Sequence, residues 1–160
     1  MQIIKDIFLN HMIIVPIISW AVSQIIKTVV FCVTEKKIVL KRILGDGGMP
    51  SAHASTVFSL AVMCGWTQGF DSAAFAISIV VAVVILRDAV GVRWQGGVNA
   101  RVIKKVADKV NSNLSDGECA IKTDKLKTIA GHTPLEVAMG CVTGLAVCIL
   151  YILIGNIPSA

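Results

Sequence analysis

Charge is scarce in this chain. Asp, Glu, Lys and Arg make up 16% of its 160 residues, against 55% for the apolar residues. A soluble domain carries nearer a quarter charged residues, so an ordinary soluble fold is excluded. Several chemical signatures are missing too. There is no Gly-Lys-Ser/Thr phosphate loop and no His-Glu-x-x-His zinc helix. There is no Gly-x-Ser-x-Gly nucleophile elbow. The five cysteines (Cys32, Cys64, Cys119, Cys141 and Cys148) lack metal-ligand spacing. They read as small buried hydrophobes in a reducing compartment. No internal repeat or low-complexity tract occurs.

What is present is apolar and blocky. Mean hydropathy is +0.77, concentrated near residues 11–33, 52–68, 72–90 and 136–157. A membrane-crossing helix needs about 20 mostly apolar residues, so the sequence predicts about four spans. The second block is interrupted by polar residues and reads as a short or tilted span. The first is too long for a signal-peptide core and lacks a small-residue cleavage pattern. It reads as a retained helix. The expectation is an all-α integral membrane protein, a single domain over residues 1–160.

The net charge of +5 does not point to nucleic acid, because the basic residues flank the apolar blocks. Lys36, Lys37, Lys41 and Arg42 follow the first block. The connection Gln68–Asp71 has no basic residue, whereas the segment after the third block has nine, and the C-terminal tail none. The positive-inside rule then puts residues 34–50 and 91–131 in the cytoplasm and both termini on the other side. Within the long loop, Val98, Val102, Ile103, Val106 and Val110 recur at helical spacing with Lys104, Lys105 and Lys109 between them. This predicts an amphipathic helix, lying on an anionic membrane surface or packed on the ends of the spans. Residues 111–126 read as an exposed polar loop.

This topology gathers three polar clusters at one face. Gly47-Gly48-Met49-Pro50-Ser51-Ala52-His53 opens the second span. Glycines make a pliable turn, and Pro50 suits the first turn of a helix. A helix start offers unpaired N–H groups to an anion, phosphate above all, and a histidine there can move a proton. Arg87, Asp88 and Arg93 close the third span, with Asp88 expected to pair with Arg93 or Arg87. Gly131-His132-Thr133-Pro134-Leu135-Glu136 opens the fourth. Glu136 can hold the His132 imidazole in one tautomer. Thr133-x-x-Glu136 is equally a capping box that needs no chemistry. Lys27 and Gln24 lie inside the first span, one turn apart. An ionisable group there is costly and commonly functional, although Lys27 can also snorkel to the interface. His11 lies at the far end and reads as an interfacial residue. A metal site from His53, His132 and Asp88 is conceivable, but nothing in the spacing demands it.

Pro50-Ser51-Ala52-His53 resembles the Pro-Ser-Gly-His signature of the phosphatidic acid phosphatase type 2 superfamily. Gly131-His132 with Glu136 resembles its last motif, a His followed four residues later by Asp. Gly-Gly-Met-Pro-Ser-x-His, Asp-x-x-Gly-Val-Arg, Gly-His-x-Pro-x-Glu-Val and the Gln24-x-x-Lys27 pair resemble its divergent bacterial branch, related to acid phosphatases and vanadium-dependent haloperoxidases. The resemblance covers roughly residues 20–145.

The resemblance implies cofactor-free, metal-independent hydrolysis of a lipid phosphomonoester or pyrophosphate through a phosphohistidine. His132 would be the nucleophile, Glu136 its orienter and His53 the proton donor. Ser51, Ala52 and Gly131 would hold phosphate oxygens, and Lys27 and Arg93 would clamp them, supported by Gln24 and Asp88. The expected partners are a phosphorylated membrane lipid, the membrane itself and a second copy in a homodimer, with no nucleic acid. The expected location is a bacterial-type plasma membrane. The chain departs from the superfamily in lacking its Lys…Arg-Pro motif, and in carrying Leu126 where an Arg precedes the last His. Ala52 replaces Gly, Glu136 replaces Asp, and the spans number about four rather than six. The alternative is a non-catalytic transporter subunit or anionic-lipid scaffold with a degenerate site; vanadate-dependent halide oxidation is remote.

Overall fold

The computed structural model describes residues 2–35, 48–114, 120–123, 126, 131–155 and 157–160. All regular structure among them is helical: α1 (Gln2–Phe8), α2 (His11–Glu35), α3 (Ala52–Gln68), α4 (Ala73–Val90), α5 (Val92–Asn111) and α6 (Pro134–Gly155). Each predicted apolar block became one helix. The short α1 was not anticipated from the sequence. The basic run Lys36, Lys37, Lys41 and Arg42, together with Gly47, Cys119, Lys125 and Lys127, falls outside the described residues. So do residues 115–119 and 124–125 of the polar loop predicted over 111–126.

Helix ends follow the local chemistry. The Asn10 side chain accepts the Met12 N–H at 2.9 Å and starts α2. Ser51 and Ser72 cap α3 and α4, accepting from the N–H groups of Ala54 and Phe75. Gly69, at φ 91°, ends α3 in a conformation that side-chain-bearing residues rarely adopt. One prediction is corrected here: Pro50 is not in the first helical turn. It precedes the cap, after a cis Met49–Pro50 bond, and the helix begins at Ala52. Ser51 takes the cap because it offers a side-chain acceptor and because its own N–H is held by the Glu136 carbonyl at 3.0 Å.

The pairings set the topology. Met12 meets Cys64, Ser19 meets Ser55, and Lys27 meets Gly48, so α2 and α3 are antiparallel. On the other side, Ser51 faces Gly140, Ser55 faces Gly144 and Ser59 faces Cys148, a fixed offset that makes α3 and α6 parallel. A Cβ on Gly144 would sit 2.6 Å from the Ser55 carbonyl oxygen, and one on Gly140 would overlap that of Ser51. These two glycines, four residues apart, let the α3 and α6 backbones touch.

Helix α3 packs against α2, α4 and α6 and is the interior helix of the bundle. That explains its polar interruptions, since Ser51, Ser55 and Ser59 are all fully buried. Ser19 and Ser55 exchange hydrogen bonds through hydroxyls and carbonyls, which satisfies groups that lipid could not. One apolar cluster (Val15, Met63, Val147 and Cys148) fills the bundle away from Ser51. A second (Ala54, Ala89 and Val137) joins α3, α4 and α6 near it. The outward faces are apolar as well: Ile77, Val80, Val83 and Val84 on α4, and Leu145, Ile149 and Leu153 on α6, are exposed.

Among the described residues, three stretches are long and apolar enough to cross a membrane: His11–Thr34, Ala73–Asn111 (α4 running on into α5) and Pro134–Gly155. Helix α3 has 17 residues, or about 26 Å at 1.5 Å per residue. It is short of a hydrocarbon core of about 30 Å. The expected fourth span is thus a shorter helix enclosed by the other three. An outward-facing apolar surface around a polar-lined interior fits an integral membrane protein and no soluble one.

Candidate active site

The antiparallel and parallel pairings bring four helix ends to one end of the bundle: the C-terminal parts of α2 and α4, and the starts of α3 and α6. His132 sits two residues before α6. Its backbone N–H donates to the Ala89 carbonyl at 3.0 Å, and its ring is almost wholly buried at 7% exposure. Its Nδ1 lies 2.9 Å from Glu136 Oε2. A carboxylate can only accept, so Nδ1 carries a proton, and in the neutral ring Nε2 is the nitrogen left with a lone pair.

Sequence spacing alone offered Glu136 two alternatives, and one oxygen fulfils both. The same Oε2 accepts from the Thr133 N–H at 3.2 Å, while Thr133 Oγ1 accepts from the Glu136 N–H at 3.2 Å. This is a complete capping box whose carboxylate also orients the imidazole. The Glu136 carbonyl receives the Ser51 N–H, so the first turn of α6 also seats the start of α3.

His53 lies on the exposed side of the first turn of α3. Its ring centroid is 6.4 Å from that of His132, with the ring planes tilted by 54°. Two histidines 79 positions apart, 53 and 132, thus flank one small space. A hydrogen bond spans ~2.8 Å and a near-attack contact ~3–3.5 Å. A phosphoryl group bridging the two rings would need a nitrogen of each within these distances of it.

The other candidates are distributed around that pair. Lys27 is 7% exposed, and its Cγ would lie 3.5 Å from a Cβ on Gly48. The chain turns against the lysine stem at Gly48, whose φ of 90° favours glycine. Gln24 is buried one turn deeper, and neither its Oε1 nor the neighbouring Ser23 Oγ has a hydrogen-bond partner among the described residues. Ser51 is fully buried, its hydroxyl accepting from the Ala54 N–H at 3.4 Å. Its own backbone N–H is taken up by Glu136, and Ala52 is 2% exposed. Arg93 forms an ion pair with Asp88 at 2.6 Å, the first of the two partners expected for that carboxylate. Gly131, at φ 77°, rests on the backbone of Arg93 and Trp94 so closely that a Cβ would overlap the Trp94 nitrogen. The loop carrying His132 is therefore pressed against the first turn of α5. His11 is at the opposite end, with its Nδ1 3.0 Å from Tyr151 Oη.

No group of three or more His, Cys, Asp or Glu side chains able to hold a metal ion occurs among the described residues. Three structural participants were missed from sequence. The Ala89 carbonyl, which holds the His132 N–H, leaves no trace in residue type. Trp94 backs Gly131 with its main chain and is equally silent. The Gly140-x-x-x-Gly144 spacing, by contrast, was a readable small-residue signature.

The Divergent PAP2 family model matches residues 8–147. The chain belongs to this family. The uncharacterized membrane protein YuiD of Bacillus subtilis (strain 168) is 33% identical over 129 residues, covering 77% of this chain and 82% of YuiD. No solved structure matches. The match to the Divergent PAP2 family covers every candidate site residue, from Gln24 and Lys27 on α2 to Glu136 on α6. The membrane character of YuiD agrees with the three apolar helices long enough to cross a bilayer.

Proposed function

We propose that this protein is a phosphatase of membrane lipid phosphates, working through a phosphohistidine on the cytoplasmic side of the membrane. The observation that carries the reading is the pairing of His132, polarised by Glu136, with His53 at 6.4 Å. In the first step, His132 Nε2 attacks phosphorus and the P–O bond to the lipid breaks. The His53 imidazolium gives its proton to the departing oxygen. In the second, His53 takes a proton from water as the water oxygen attacks phosphorus, and the N–P bond breaks to release phosphate. Glu136 stabilises the positive charge that His132 gains in the first step. Lys27 and Arg93 are assigned to the phosphoryl oxygens, with the start of α3 contributing its partial positive charge. Ser51, Ala52 and Gly131 shape the pocket floor, and Gln24 and Asp88 support the two cations.

A lipid is favoured over a soluble substrate by the surroundings. An apolar groove of about 320 Å³ runs along α2, lined by Trp20, Ala21, Gln24, Ile25, Thr28 and Val29. It passes Gln24, one turn from Lys27, and continues to Thr28 and Val29, so a hydrocarbon tail lying in it would run alongside the lysine. The assignment to the cytoplasmic side, with the termini opposite, rests on the charge bias of the loops.

The test is phosphate release by purified protein from phosphatidate, phosphatidylglycerophosphate and a polyprenyl phosphate, with His132→Ala and His53→Ala alongside. Wild type is expected to turn over at least one of them and to form an acid-labile phosphoenzyme absent from His132→Ala. Equal release by all three proteins overturns the mechanism. The Arg93–Asp88 ion pair favours one second reading, a lipid-phosphate binder without turnover, because it draws a cation away from phosphate. That reading is distinguished by saturable binding with no phosphate released.

A further inference from the structure

Helix α5 leaves an apolar face uncovered. Val102, Ile103, Val106 and Val110 are 55%, 52%, 57% and 41% exposed. Val102, Val106 and Val110 succeed one another at one turn each, with Ile103 beside them, so the four form one stripe along the C-terminal half of the helix. Lys104, Lys105 and Lys109 are exposed on the remaining surface, and Asp108 is the sole acid of the helix. The side that is covered carries only small residues, Gly97, Ala100 and Ala107. Among the described helices α5 packs on α4 alone. A shallow apolar depression of about 230 Å³ lies on this face, with Ile121 at its rim.

Position narrows what can cover the stripe. A single residue, Gly91, separates α5 from α4, and α4 belongs to a stretch able to cross a membrane. Helix α5 therefore starts where the chain leaves the bilayer. An apolar stripe bordered by lysines, at that level, matches a leaflet with anionic headgroups: hydrocarbon for the valines, phosphates for the ammonium groups. A second copy meeting this stripe through a two-fold axis would bring lysines toward lysines, which opposes that contact.

We propose that the C-terminal half of α5 docks on the anionic leaflet adjoining α4, with Val102, Ile103, Val106 and Val110 inserted and Lys104, Lys105 and Lys109 on lipid phosphates. This stands apart from the catalytic reading, since it uses none of the residues assigned to the reaction.

Hydrogen–deuterium exchange of the full chain tests it, in nanodiscs of phosphatidylcholine alone and of phosphatidylcholine mixed with phosphatidylglycerol. Amides of residues 102–111 should exchange more slowly in the mixed lipid, while those of Ala61–Cys64 inside α3 stay unchanged and report an intact fold. Each lysine near an anionic surface contributes about fivefold to the docking equilibrium. Lys104→Gln, Lys105→Gln and Lys109→Gln combined should therefore abolish the difference between the two lipids, and high salt should weaken it. Val106→Asp should remove protection in both. Equal exchange in the two lipids overturns the proposal. So does protection that rises with protein concentration, which would reveal a second copy, or equal protection in lipid-free detergent, which would mean that the chain covers the stripe itself.

Discussion

Each end of the bundle holds a histidine whose Nδ1 is hydrogen-bonded to a side chain of α6. At one end His132 meets Glu136 at 2.9 Å; at the other His11 meets Tyr151 at 3.0 Å. The rings differ in what surrounds them. Glu136 is an obligate acceptor, so it fixes the tautomer of His132 and leaves Nε2 bare. Tyr151 hydroxyl can donate or accept, so it fixes nothing about His11. His132 has a second imidazole 6.4 Å away and shares its end of the bundle with buried Lys27. His11 has an edge-on aromatic ring at 5.7 Å. A histidine hydrogen bond is common to both ends; the second imidazole and the buried lysine belong to one.

The sharpest way to break this contrast is to remove each histidine. His132→Ala should lower phosphate release by at least ~10³-fold, because loss of a nucleophile leaves only binding and electrostatics. His53→Ala should cost ~10²–10⁴-fold, the range for a positioned acid–base group. Steady-state rates on a lipid phosphate would measure both. Loss of activity in His11→Ala comparable to that in His132→Ala would erase the distinction between the ends.

Glu136 allows a finer cut, because it caps a helix and orients a ring with one oxygen. Glutamine can also complete a capping box, so Glu136→Gln should preserve the thermal midpoint. It should still lower kcat, by about 10²-fold, less than the ~10⁴-fold found for a fully buried carboxylate in a hydrolase triad. Glu136→Ala should lose both activity and about 1 kcal/mol of stability. If Glu136→Gln retained full activity, the carboxylate would be a cap and nothing more.

This double role marks the limit of what the sequence disclosed. Apolar runs located the helices, because lipid demands long unbroken hydrogen-bonded segments whose composition is hard to mistake. Charge bias and topology led His53, His132 and Asp88 to be expected at one face, and the structure puts His53 beside His132. What stayed hidden depends on the main chain. The Ala89 carbonyl that holds His132, and the Glu136 carbonyl that holds Ser51, would be offered by any residue. Pro50 misled for a related reason. Proline suits a first helical turn, but a serine one position later, anchored from α6, took the cap.

Backbone contact between α3 and α6 ties the site to the rest of the bundle, and two glycines separate the effects. Gly140 lies against the Ser51 carbonyl, at the start of α3, and Gly144 against that of Ser55, one turn further in. Alanine at either position forces the helices apart and should cost ~1–3 kcal/mol, as overpacking does. Thermal unfolding in detergent would measure that loss. Only Gly140→Ala also pushes on the residue next to Ala52 and His53, so it should reduce turnover further than its stability loss explains. Equal activity in the two variants would mean that the start of α3 tolerates displacement, and that the histidine spacing is looser than the mechanism requires.

The smallest effect belongs to the far end. His11→Phe keeps an aromatic ring against Tyr151 and removes one hydrogen bond between half-buried groups. Such a bond contributes about 1 kcal/mol, so the thermal midpoint should fall slightly and phosphate release should stay at the wild-type rate. A change in rate would have to travel the length of α2 to reach Lys27. The path exists in principle, since Val15, Ser19, Ser23 and Lys27 form one buried stripe on that helix. Helix α2 is held against α3 midway by the Ser19–Ser55 hydrogen bonds, and this brace isolates Lys27 from small shifts at His11. Ser19→Ala combined with Ser55→Ala should remove the brace, so that a rate change from His11→Phe seen only in that double-alanine background would show where the two ends are uncoupled.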